Sequence, residues 1–131
     1  MSAYPLASLL AYFITMTYKD LTVWQKADEL AFVVYSATKK FPKEEMYGLT
    51  SQLRRAALSV PTNIVEGYAR KGDKELARFV GIAVGSLSET EYLLNFAHRL
   101  GYLSKKDYIE VEALRSTVGK LLWSFYKTVS K

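Results

Sequence analysis

From Thr22 onward, apolar residues recur at three- and four-residue steps, the period of a helix with one buried face. Val23, Leu30, Val33, Val34, Ala37 and Phe41 share such a face. Thr22, followed three residues later by Gln25, has the form of a capping box, in which a hydroxyl and an amide satisfy the free N–H groups of a first turn. The pattern predicts a first helix from Thr22 to about Lys40. Phe41-Pro42 closes it, because proline disfavours helical backbone in the residue before it, and Tyr47-Gly48 marks a turn. A second helix is predicted over 49–69, with Leu49, Leu53, Ala56, Ala57, Val60 and Ile64 on a narrow arc when each residue advances by about 100°. Pro61 lies inside that run and deprives the Ala57 carbonyl of its donor, so a kink is expected; the apolar phase continues on both sides, so a break is not. A third helix is predicted from Asp73 to Leu100, between Gly72 and Gly101, with Leu76, Val80, Ala83, Leu87 and Leu94 in phase. Ser104 and Asp107 repeat the capping-box pattern before a fourth, whose stripe is Val111, Leu114, Val118, Leu121, Leu122, Phe125 and Val129.

No sustained period-two run bounded by hairpin turns occurs, so the fold class is all-α. Long helices joined by short loops imply antiparallel neighbours, an up-down-up-down four-helix bundle with a kinked second helix. The 131 residues fit one domain, and an apolar fraction of 50% supplies a core. Residues 1–15 differ from the rest: they carry no charged side chain, while the next fifteen carry five. They are too short for a membrane span and lack the basic start and cleavage site of a secretory signal. We read 1–15 as an apolar extension upstream of a bundle domain over 16–131, with translation beginning naturally at Met16; the rival reading is a short apolar helix docked on the domain or on a partner.

Chemistry is sparse. There is no cysteine and one histidine, His98, which excludes thiolate catalysis, disulfides and a multi-histidine metal site within one subunit. Phosphate loops, zinc-protease motifs and a nucleophile elbow are absent, and His98 reads as a hydrogen-bonded packing residue. No enzyme activity, cofactor or metal is expected. The second helix carries Gln52, Arg55, Ser59, Asn63 and Glu66 within a strip about 80° wide beside its core arc. This strip is open to three readings: a solvated face, a structural polar network or a small-ligand site. Glu91 falls in the core phase of the third helix, where an unpaired carboxylate would be costly, so it is expected to bond Arg54 or Arg55. Leu58, Pro61 and Val65 on the second helix, and Ile82, Leu93, Phe96 and Leu100 on the third, lie off the core arcs. Either the bundle itself covers them or a subunit interface does, with Leu58, Val65, Ile82, Leu93 and Phe96 as its candidates. Ala77, Gly81 and Gly85 make a small-residue ridge, suited to close helix packing in water because charges surround it.

The formal net charge is +5, and between Lys39 and Arg78 nine basic residues stand against five acidic ones. Arg70, Lys71, Lys74 and Arg78 straddle the turn into the third helix, whose N-terminus adds partial positive charge, and Arg54 and Arg55 lie upstream. These six are the candidate nucleic-acid contacts, with Tyr68 near enough in sequence to stack on a base; a solvated basic loop is the competing reading.

The segments DLTVWQKADELA (20–31), FPKEEMYGLTSQLRRAALSVPTNIVEGYAR (41–70) and GSLSETEYLL (85–94) closely resemble the 23S rRNA-intervening sequence family of four-helix bundle proteins. The likeness runs from about Met16 to the C-terminus, and its most specific part sets a proline inside a helix beside fixed polar residues. Val65 stands where the family has alanine, and Glu89-Thr90-Glu91 where it has Glu-Leu-Glu. The resemblance implies a left-handed antiparallel bundle that assembles as a ring-like homopentamer in bacteria, with no established enzymatic activity. A related branch, the accessory proteins of diversity-generating retroelements, is a basic pentameric barrel that binds nucleic acid and a reverse transcriptase. The combined expectation is a cytoplasmic, non-catalytic oligomer that binds structured RNA or another nucleic acid through repeated basic patches. The alternative is a protein-interaction scaffold such as a reverse-transcriptase accessory.

Overall fold

In the computed structural model, residues 16–70 and 72–131 are described; the expectations for 1–15 and for Lys71 lie outside them. Four helices account for most of the chain: α1 (Thr22–Thr38), α2 (Leu49–Ala69), α3 (Asp73–Arg99) and α4 (Lys105–Val129). No strand occurs among the described residues. Each helix packs on its neighbours in sequence, α4 closes on α1, and the backbones of the diagonal pairs stay apart. Contacts between partners run in opposite directions: Gly67 faces Phe79, Ser59 meets Ser86 and Arg55 meets Glu89 along α2 and α3. The α3–α4 pair repeats this, Gly81 facing Tyr126, Leu87 facing Gly119 and Glu91 meeting Arg115. The result is an antiparallel four-helix bundle, as the apolar periodicity implies.

The core is a column of fully buried aliphatics that draws on every helix: Leu30 and Val34, Leu53, Val60 and Ile64, Val80 and Leu94, Val111, Val118 and Leu122. Val33 and Ala37 of the expected first stripe are only half-buried, while Ala27 and Ala31 are buried in their place. The expected capping box at Thr22 does not form, because α1 starts after Leu21, whose side chain makes no cap. The box is one turn earlier: Thr17 and Asp20 cap a short 3₁₀ turn (Tyr18–Asp20), and Gln25 Nε2 instead donates to the carbonyl of Lys19 at 2.7 Å. At Ser104 the hydroxyl half forms, accepting from the N–H of Asp107 at 3.1 Å.

α1 stops at Thr38, two residues before its expected end, and a second 3₁₀ turn (Lys43–Glu45) leads to α2. Gly48 precedes α2 without a side-chain cap, and Glu45 serves that role from outside. One of its carboxylate oxygens accepts from the N–H of Leu49 at 3.2 Å and the other from the Tyr102 hydroxyl at 3.0 Å. That bond, then burial and the nearby Glu45 and Glu44 charges, raises the Tyr102 pKa above the usual tyrosine value. α3 ends in a Schellman turn: Gly101 at φ +81° donates to His98, and Tyr102 donates to Ala97.

α2 runs unbroken through Pro61, which is itself buried. The carbonyls next to the one it deprives receive extra donors, Thr62 Oγ1 to Leu58 at 2.7 Å and Asn63 Nδ2 to Ser59 at 2.8 Å. Further along, α2 and α3 approach so closely that a Cβ at Gly67 would stand 2.8 Å from Phe79 Cβ and 3.1 Å from Leu76 Cδ1. Phe79 Cβ is fixed to its backbone and cannot swing away. Gly67→Ala should therefore lower stability by about 1–3 kcal/mol despite alanine's better helix propensity, read as a reduced urea midpoint with an unchanged slope.

Candidate nucleic-acid interface

The antiparallel fold divides the basic stretch between Lys39 and Arg78. α2 spans about 30 Å, so Lys39, Lys40 and Lys43 lie at one end of the bundle and Arg70, Lys74 and Arg78 at the other. At the first end Lys40 approaches Asp107 at 3.8 Å. At the second, Arg70 and Arg78 converge on one aromatic ring: their guanidinium carbons lie 5.2 and 4.5 Å from the ring centroid of Phe79. The ring is 6% exposed, so it is a floor for the two cations and leaves no free face for a base. Arg78 also pairs with Glu75 at 3.2 Å, and Lys74 is exposed on the first turn of α3. Asp73 and Glu75 in that turn offset part of the helix dipole's attraction for anions. Tyr68 is half-buried.

Arg54 and Arg55, adjacent in sequence, point to different helices. Arg54 is half-buried against α1, where its Nε donates to Thr38 Oγ1 at 2.7 Å, a second nitrogen donates to the Tyr35 carbonyl at 3.3 Å, and the guanidinium lies 4.9 Å from the Tyr35 ring centroid. It ties the C-terminal turn of α1 to α2, a structural role in place of the expected phosphate contact. Arg55 is exposed and pairs with Glu89 at 3.2 Å across α2 and α3.

Of the expected polar strip, Ser59 and Asn63 come together. The Ser59 and Ser86 hydroxyls are 2.9 Å apart, and Asn63 Nδ2 donates to Ser59 Oγ at 2.9 Å. With Arg55–Glu89 one turn away they line the α2–α3 seam. Gln52 and Glu66 are exposed and take no part in it. The pairing expected for Glu91 is corrected: its partner is Arg115 of α4, at 2.7 Å. Glu91 faces α4 and is exposed to solvent, while Arg115 is largely covered and is held a second time by Glu112. Hydrogen bonding to Glu112 leads the causes that raise the Arg115 pKa.

His98 is packed as expected: Nδ1 donates to the Leu103 carbonyl at 3.1 Å, and the ring stacks on Tyr108 with centroids 4.4 Å apart. Among the described residues no three metal-ligating side chains converge.

The apolar flanks sort into two groups. Leu93 and Pro61 are buried within the bundle, which removes Leu93 from any subunit interface; the phase that seemed to point outward is covered by the bundle's own packing. Val65 is half-buried. Leu58, Ile82, Phe96 and Leu100 remain 45%, 43%, 37% and 47% exposed. Leu58 belongs to a groove of about 430 Å³ between α1 and α2, whose walls include Phe32, Tyr35 and Lys39. Sequence reasoning missed Phe32 because it sits opposite the core stripe of α1. It also missed Trp123, an exposed indole with Lys120 and Lys127 three and four residues away, although that interleaving of basic and aromatic residues on one helix face was visible.

A family model described as 23S rRNA-intervening sequence protein matches residues 19–124. A crystal structure of a protein of unknown function from the S23 ribosomal protein family, from Bacteroides thetaiotaomicron, is similar at a TM-score of 0.74 and 25% identity, covering 83% of this chain and 98% of that one. No curated protein matches the chain.

The two neighbouring arginines should separate in a denaturation experiment. Arg54→Ala removes two hydrogen bonds from a charged donor and should lower unfolding free energy by about 1–3 kcal/mol, whereas Arg55→Ala breaks a surface pair and should change it by less than about 1 kcal/mol.

Proposed function

The chain belongs to the 23S rRNA-intervening sequence protein family, and within it we propose a non-catalytic, cytoplasmic oligomer that binds structured RNA or another nucleic acid through repeated basic patches. The observation that carries this reading is the pair of guanidiniums over Phe79, with Lys74 beside them. Cations ordered on a buried ring lose less freedom when a phosphate arrives than cations on mobile side chains would. One such patch, diluted by Asp73 and Glu75, is weak; five copies around a ring bind together. No helix among the described residues is long and apolar enough to cross a membrane.

The exposed apolar residues support assembly. Phe32 and Leu58 lie at the α1–α2 groove, while Ile82, Phe96 and Leu100 lie along α3. Two different sticky flanks suit a head-to-tail contact, which closes into a ring, and in our reading that ring is a homopentamer. The groove also favours a second reading, a scaffold that holds a protein partner such as a polymerase.

Replacing Arg70, Lys74 and Arg78 together by alanine should weaken RNA binding, and the slope of log affinity against log salt should fall by about 0.7–0.9 for each phosphate the variant no longer neutralises. Affinity without a salt slope would favour the scaffold. Phe32→Glu should reduce the sedimenting mass to that of one subunit with helix content retained; an unchanged mass would remove this groove from the assembly interface.

A further inference from the structure

Gly81 and Gly85 lie one turn apart on the flank of α3 that borders α4. A Cβ at Gly81 would stand 3.4 Å from Tyr126 Cε1, whereas at Gly85 nothing lies within 4 Å. This stretch is bare helix backbone, bordered on the α4 side by Tyr126, and Trp123 lies one turn before Tyr126 on α4. The Trp123 and Tyr126 rings stack with centroids 5.7 Å apart and planes inclined by 29°. Trp123 nevertheless remains 51% exposed. An indole already steadied by a neighbouring ring adds a flat partner at small entropic cost.

Positive charge surrounds this strip. Lys120 and Lys127 are exposed on α4, three and four residues from Trp123, and Lys74 and Arg78 are exposed on the turns of α3 that lead to Gly81. With Gly81 facing Tyr126, the antiparallel packing sets Arg78 near the level of Lys127, while Lys74 lies about one turn further toward that end of the bundle. Lysines are depleted from protein–protein interface cores, so an aromatic ring framed by them suits a polyanion better than a protein surface.

We propose that this strip is a stacking platform for an unpaired nucleobase: the base lies on Trp123 above Gly85, and its flanking phosphates meet Lys120 and Lys127. This rests on the nucleic-acid reading and specifies the strand class. A single-stranded or looped segment can present such a base, whereas an uninterrupted duplex keeps its bases stacked inside.

The test uses the full chain with Trp24→Phe, so that tryptophan emission reports Trp123 alone. The probes are an oligoadenylate of about 15 nucleotides and a blunt RNA duplex of the same length. Oligoadenylate should quench the emission, and Trp123→Ala should weaken its binding about tenfold while duplex affinity stays within about twofold. Gly85→Leu, which fills open space and improves helix propensity, should weaken oligoadenylate binding without lowering the thermal midpoint. Salt-sensitive binding with unchanged emission, and with unchanged affinity in both variants, would overturn the platform and leave the nucleic-acid reading standing. Absence of binding to either probe would overturn both.

Discussion

The close approach of α2 and α3 at Gly67 is the constraint from which the rest of the molecule follows. The backbones come near enough there to exclude a methyl group, which fixes how far α3 has turned and slid along α2. In that register the Ser59 and Ser86 hydroxyls meet at 2.9 Å and Arg55 reaches Glu89. The same approach holds Phe79 under Arg70, which caps the C-terminal end of α2, and Arg78, which lies on the second turn of α3. A small change in this crossing would separate the two guanidiniums. The basic patch is thus a consequence of helix packing and not of loop conformation.

Much of the fold was legible because its punctuation is strong. α2 and α3 begin at the predicted residues, and the third helix ends within one residue of the expected position, since Gly72 and Gly101 adopt positive φ and mark both ends of α3 unambiguously. The first helix likewise begins at the predicted Thr22, but its cap was less legible because two nearby patterns compete, Thr17 with Asp20 and Thr22 with Gln25. Which one caps depends on how the Tyr18–Asp20 turn packs on α1 and α2, a tertiary matter that a four-residue pattern does not contain.

At the candidate site, the face on which a side chain lies was more legible than the partner it meets. A helical wheel places a side chain on a face, but the choice of partner also needs the rotation of each helix against its neighbours. Glu91 shows the gap: the wheel placed it in the core phase, yet it lies exposed beside α4, where its carboxylate meets Arg115 instead of an arginine of α2. Arg54 and Arg55 differ by one step of about 100°, enough to send one to α1 and the other to α3. Linear charge counting failed for a related reason. In an antiparallel bundle, a charge count along the chain pools residues that the two ends of one helix keep apart, such as Lys39 and Lys40 from Arg70 and Arg78.

Charge alone accounts poorly for tight binding by such a surface. Asp73 and Glu75 lie among the basic residues, and one of the two stacked guanidiniums is already paired with Glu75. A polyanion approaching one subunit therefore meets a field that ordinary salt screens within about 8 Å. In the proposed ring, repetition would multiply that field without altering its sensitivity to salt, because every added phosphate pairing again releases counterions. The proposed stacking on Trp123 differs in kind: its energy would come from ring contact and desolvation, which salt screens far less than charge pairing. The two contributions also select for different features, repetition for long or folded polyanions and stacking for unpaired bases. A surface with both, as proposed, would discriminate a looped nucleic acid from a plain duplex and from a simple anionic polymer, without a hydrogen-bond code for sequence.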